Sequence, residues 1–302
     1  MYRTFVILRH TFREAIVQPI YTLLILFGAA ILGVFAMLPF FTLGEDTTMY
    51  KSVGLDIILL FVLIATLFAT SKSIFEEIED RTMLTLMSKP LYKWEVLVGK
   101  YLGIIFAALL AVVILTIVLA MGTWYRIPVD NLEFRNTLDD RLMSKLLHLR
   151  LTHVVSLIPA AIQIWFQISA LAAVGVAIST RVSLVVNLPV VILIYIAGNL
   201  TRFLYPISGR NAPLGDRSWL VKGPAFLASI LLPYLETFDI RPLAIHRQLA
   251  MFEFAKDPNA VQLSTLFAYV GISAAYAIAY SIFALSVGMW LFQTRELGGA
   301  EG

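Results

Sequence analysis

The sequence predicts an all-α integral membrane protein with six transmembrane helices, and three observations carry that expectation. The chain of 302 residues is 59% hydrophobic and only 14% charged, where ordinary globular domains carry about 25% charged residues. Its mean hydropathy of +0.83 is too apolar for a soluble fold. The apolar residues are also gathered into stretches of about 20, the length a helix needs to cross a bilayer.

Those stretches are 20–41, 55–71, 101–124, 154–179, 182–204 and 266–293. Their middles are uncharged, with Asp56 at an end of the second and shortest. A charge at a helix centre costs about 2.5–3.5 kcal/mol on insertion, so this avoidance defines the spans. A seventh candidate, 221–235 ("VKGPAFLASILLPYL"), is bracketed by Pro224 and Pro233. It reaches only about 22 Å as a helix, against about 30 Å of hydrocarbon. It reads as a re-entrant or interfacial segment of a long extracytoplasmic loop, 205–265.

Residues 1–19 form an amphipathic run in which Phe5, Leu8, Phe12, Ala15 and Ile16 follow helical spacing while Arg9 and Arg13 mark another face. Pro19 then breaks it. This predicts an interfacial helix turning into the first span, and the apolar run that follows is too long for a signal peptide. The lysines and arginines of the N-terminus and of 72–100 share one side, opposite a short loop 42–54 that carries only Lys51. Weighting short loops, the positive-inside rule makes the N-terminus cytoplasmic, and six spans put the C-terminus there too. Two further amphipathic helices are expected on the outer surface, in "LDDRLMSKLLHLRL" and, begun by Pro242, in "DIRPLAIHRQLAMFEF". With no sequence repeat and no low-complexity linker, residues 1–302 form a single transmembrane domain.

Several functions are excluded. Cysteine is absent, and the four histidines, His10, His148, His153 and His246, show no ligand spacing, so thiol chemistry and a metal site are not expected. The net charge of +3 comes without the basic–aromatic cluster of a nucleic-acid binder. No ionisable residue lies mid-span, which counts against an ion-coupled carrier and against a metallo- or aspartyl intramembrane protease.

The exception to this apolar chain is 72–100. Ten charges there cannot enter hydrocarbon, so the segment is a cytoplasmic loop. Ile74, Ile78, Thr82 and Leu86 recur every four residues, and Glu76, Glu77, Glu79 and Asp80 crowd the first half. A helix beginning near Lys72 would place those carboxylates at its positive end. "SKP" stops it. A second amphipathic helix, "LYKWEVLVGK", then merges into span three, with Lys93 and Glu95 facing water. Two readings of this helix–break–helix hairpin stand: a solvated loop, or a docking element whose apolar stripe and charges fix register with a soluble partner.

The stretch "EEIEDRTMLTLMSKPLYKWEVLVGKYLG" resembles the cytoplasmic loop of ABC-2 type permeases, the membrane subunits of type V ABC exporters. Glu77, Glu79, Thr82, Pro90, Lys93, Gly99 and Lys100 stand at the matching positions. Arg81 stands where that family often has glycine, and "LFQTREL" is a weaker match to its terminal motif. The resemblance implies a permease subunit that pairs with a second copy or a paralogue. It also implies a separate P-loop ATPase subunit that binds ATP and Mg²⁺, with no cofactor in this chain. The docking residues it implies are Glu76, Glu77, Glu79, Asp80, Arg81, Lys89, Pro90 and Lys93. The chain has no G-x-x-x-x-G-K-[ST] phosphate loop of its own, so no enzymatic activity is expected of it. The alternatives are a membrane scaffold or anchor without transport and, third, a secondary transporter. The substrate is not legible.

Two constellations remain. Gly99 and Gly103 form G-x-x-x-G at the start of span three, and small residues recur in "ALAAVGVAIS". Both permit close helix approach, as a dimer seam or within one subunit. Gln163, Gln167, Asn187 and Asn199 lie in spans four and five, where they line a polar path or, as is commoner, bond neighbouring helices.

Overall fold

The computed structural model describes residues 2–38, 46–79, 92–130, 140–204, 232–240, 245, 249–250 and 261–293. Over these residues the chain is a helical bundle. Its helices are α1 (Tyr2–Val17), α2 (Pro19–Met37), α3 (Asp46–Ser71), α4 (Lys93–Asp130), α5 (Asp140–Val155), α6 (Leu157–Ser179), α7 (Leu184–Leu204) and α8 (Leu263–Gln293). Pro19 opens α2, where its missing N–H costs nothing. Ser156 alone separates α5 from α6.

Among the described residues, five helical segments are long and apolar enough to cross a membrane: Pro19–Met37, Asp46–Glu79, Lys93–Ile127, Met143–Ser179 and Ser264–Gln293. The expected span at 182–204 is a shorter apolar helix over Leu184–Leu200, with Pro189 inside it. α4 has 38 residues, so it is about 57 Å long and exceeds a bilayer's hydrocarbon of about 30 Å.

The core lies where α3 and α6 cross the bundle. Leu55, Ile58, Val62 and Leu67 of α3 pack with Ile168, Leu171, Ala172 and Val176 of α6, all buried. The small residues of α6 are used here. A Cβ on Gly288 of α8 would fall 2.8 Å from the Ala177 Cα, and one on Gly175 would fall 3.1 Å from Leu67. Backbones therefore meet where only small residues fit. α2 and α8 lie outside, turning Leu23, Leu26, Met37, Ile272, Ile282 and Trp290 outward, as helices facing lipid do.

Two sequence expectations change. The second span does not begin at Leu55: α3 starts at Asp46, an acidic first-turn residue suited to a helix N-terminus. Most of the expected loop 42–54 is thus helix, Lys51 is buried, and Asp56 sits about three turns inside α3. The outer helix expected across "DIRPLAIHRQLAMFEF" fails at Leu249–Ala250, whose backbone pairs in parallel with Val261–Gln262 at the foot of α8. Residues 221–231 of the expected re-entrant segment lie outside the described residues. Pro233 follows them, then a 3₁₀ turn at Leu235–Phe238 packed against α7, where a Cβ on Gly198 would strike the Pro233 carbonyl at 2.8 Å.

Candidate functional site

The charged hairpin is rooted in a junction of α1, α3 and α4. α3 does not end at Ser71. It continues through a π-helical turn, Lys72–Glu76, into a last described turn at Glu77–Glu79. No helix begins near Lys72, so the dipole argument for the four carboxylates fails: Glu76, Glu77 and Glu79 follow more than 25 residues of unbroken helix. Asp80, Arg81, Lys89 and Pro90 lie outside the described residues.

What stabilises Glu77 there is Lys100. This lysine is 2% exposed, and its Nζ lies 2.6 Å from Glu77 Oε1. It also donates to the Ser73 carbonyl and, at 3.2 Å, to the Ser73 hydroxyl. Glu14 of α1 is near enough to add to the field on the ammonium. Taking a charge out of water costs several kcal/mol, and here the ammonium is compensated by a carboxylate and two Ser73 oxygens.

α1 reaches this junction because glycine lets it. A Cβ on Gly99 would fall 2.9 Å from Ile7 Cγ2, and one on Gly103 would fall 2.7 Å from the Leu8 carbonyl. The G-x-x-x-G pair of α4 therefore seats α1 of the same chain, with Thr11 and Ala15 buried. Of the two readings open from sequence, packing within one subunit is what the structure uses.

The start of α4 is fixed locally. The Tyr92 N–H donates to Glu95 Oε2 at 3.2 Å, the return half of a capping box. Glu95 is consequently 7% exposed and does not face water as expected. Lys93 stacks over the Phe292 ring of α8, 5.3 Å from its centroid, and Arg181 Nε donates to the Leu291 carbonyl at 3.1 Å. The end of α8 is thus held beside the start of α4. Glu76 and Glu79 remain exposed. Sequence reasoning grouped Glu77 with them and passed over Lys100 as a partner; the G-K pair in the motif was the signal available.

The opposite end carries a second polar cluster that the sequence did not announce. Arg126 Nη1 donates to the Phe35 and Leu38 carbonyls at 3.0 and 2.7 Å, supplying partners to the C-terminal end of α2. Asp46 lies 3.7 Å from its Nη2, and the guanidinium lies over the Tyr50 ring. Lys51, 1% exposed, donates to Ser156 Oγ at 3.5 Å.

The four polar span residues do not gather at one site. Gln163 Nε2 donates to Ser273 Oγ of α8 at 2.9 Å. Asn187 Nδ2 donates to Ser71 and Ser179 hydroxyls at 2.9 and 2.8 Å, joining α7 to α3 and α6. Asn199 Nδ2 bonds the Tyr195 carbonyl of its own helix at 2.9 Å. Gln167 and Asn199 share the lining of a cavity of about 40 Å³ with Asp56, Tyr195 and Asp239, room for about one water. Among the described residues, no group of three or more His, Asp or Glu side chains could hold a metal ion.

Set beside known proteins, residues 32–297 match the model of a family described as ABC-2 family transporter protein. No curated protein matches the chain.

Proposed function

The chain belongs to the ABC-2 transporter family, and on that premise we propose that it is the permease subunit of an ATP-driven exporter. It is a multi-pass membrane protein; in this reading it sits in the cell membrane with both termini cytoplasmic. A separate P-loop ATPase subunit binds ATP and Mg²⁺ and docks on the loop between α3 and α4. A second copy or a paralogue completes the transporter.

The observation that supports the docking site is the split of charge at the hairpin root. Glu77 is turned inward to Lys100, while Glu76 and Glu79, three apart and so neighbours on the helix surface, remain exposed beside the loop. Lys93, half-exposed at the other limb, adds the opposite sign. Charges placed this way select a partner and its register more than they add affinity. Asp80, Arg81, Lys89 and Pro90 extend the proposed surface.

The test is a pull-down of the tagged, detergent-solubilised chain from its own cells, followed by an ATPase assay on the eluate. A stoichiometric P-loop subunit is expected, reduced at least ten-fold in E76K/E79K while the permease level is unchanged. A clean chain without ATPase would remove the exporter reading and leave a membrane scaffold.

A further inference from the structure

We propose that Lys100 is the positioning residue for the α3–α4 loop, drawing the end of α3 onto the start of α4 and α1 so that Glu76 and Glu79 stand in one register. The loop's role as a docking element is the reading given above. The positioning itself is a property of this chain alone.

The ammonium has three N–H donors, and three acceptors surround it: Glu77 Oε1, the Ser73 carbonyl and the Ser73 hydroxyl. Two of these belong to the π turn Lys72–Glu76. A π turn departs from the regular ladder of helix hydrogen bonds and recurs at functional sites. Here it places the Ser73 carbonyl against the ammonium.

Packing alone does not call for this lysine. A methionine would fill similar space, and a buried ion pair is often no more stable than the apolar residues that could replace it. What the pair adds is register. Glu77–Glu79 is one helical turn, so fixing Glu77 inward fixes the direction of Glu79, and the π turn that ends at Glu76 is tied to the same ammonium through Ser73. Gly99 and Gly103 bring the α1 backbone flush on either side of Lys100, and Glu14 adds a carboxylate from that helix. One side chain therefore sets the loop against three helices.

The chain has no cysteine, so a single nitroxide can be placed at will in the full chain, in nanodiscs, with its ATPase subunit where one is present. A label at Glu79→Cys reads the loop root, and one at exposed Ile282→Cys on α8 reads general loosening. K100M and E77Q are each expected to shorten the correlation time at position 79 at least two-fold and to leave position 282 unchanged. K100R, which keeps a charged donor for Glu77 and for the Ser73 carbonyl, is expected to retain most of the wild-type immobility at position 79. With the ATPase subunit bound, K100M should reduce the nucleotide-dependent spectral change at Met121→Cys at least five-fold without releasing that subunit.

Unchanged mobility at position 79 in both single variants overturns the proposal, as does equal loosening at position 282. Release at position 79 with the nucleotide response intact also overturns it. Should K100M fail to insert, E77Q and K100R decide the same question. A wild-type chain that brings down no ATPase defeats the exporter reading, and the nitroxide comparison still decides the role of Lys100.

Discussion

The Tyr50 hydroxyl lies over Gly122: it donates to the Leu32 carbonyl at 3.2 Å, and a Cβ on Gly122 would fall 2.0 Å from its oxygen. Tyr50 thereby links α2, α3 and α4, and only glycine leaves it room. Gly122→Ala should push the phenol off its carbonyl. The expected loss is about 1–3 kcal/mol, the usual range for overpacking a core, read as a lower unfolding temperature in detergent. Tyr50→Phe in the Gly122→Ala background should recover part of it.

Arg126→Met should expose a different weakness at the same end. The Phe35 and Leu38 carbonyls lose the guanidinium as donor, and a hydrogen bond to a charged group contributes about 1.5–3 kcal/mol. Hydrogen exchange should quicken at the last turn of α2 and stay slow in α6. Equal quickening in both would mean that Arg126 supports the whole bundle.

At the other end, Gly103→Val should lift α1 from α4, since even a Cβ there meets the Leu8 carbonyl at 2.7 Å. Cross-linking of cysteine pairs between the two helices should fall several-fold, with membrane insertion of the later helices unaffected. Persistent cross-linking would show that α1 is held mainly by its other contacts.

Asn187 tests the value of a polar bond between buried helices. Its amide donates to Ser71 and Ser179, and such bonds average about 0.6 kcal/mol inside membranes. Asn187→Leu should therefore cost little in unfolding, within about 1 kcal/mol. A loss several times larger would show that the three helices depend on this residue for their spacing.

A bundle of long apolar helices was legible because hydrocarbon imposes length and excludes charge, a one-dimensional rule. The rule misplaced the start of α3, where Lys51 and Asp56 look like loop residues. The lysine is instead buried against Ser156, a residue remote in sequence, so the partner that receives it cannot be seen locally. Gly99 and Gly103 were legible as a close-approach pattern, but the pattern does not say which helix approaches. Glu77 and Lys100 were both visible in one motif, yet as separate charges. Their pairing depends on the π turn that brings Ser73 and Glu77 round to face α4, and nothing in the residue types announced that turn.

α4 carries both polar clusters, Lys100 near one end and Arg126 near the other, on one unbroken helix. The separation of 26 positions between them makes a stiff arm of about 39 Å. Tilting that arm by about 5° about Lys100 would carry Arg126 through about 3 Å, beyond the reach of a hydrogen bond. The two clusters are thus geared: the α2 carbonyls cannot keep their guanidinium unless the arm stays upright or α2 leans with it.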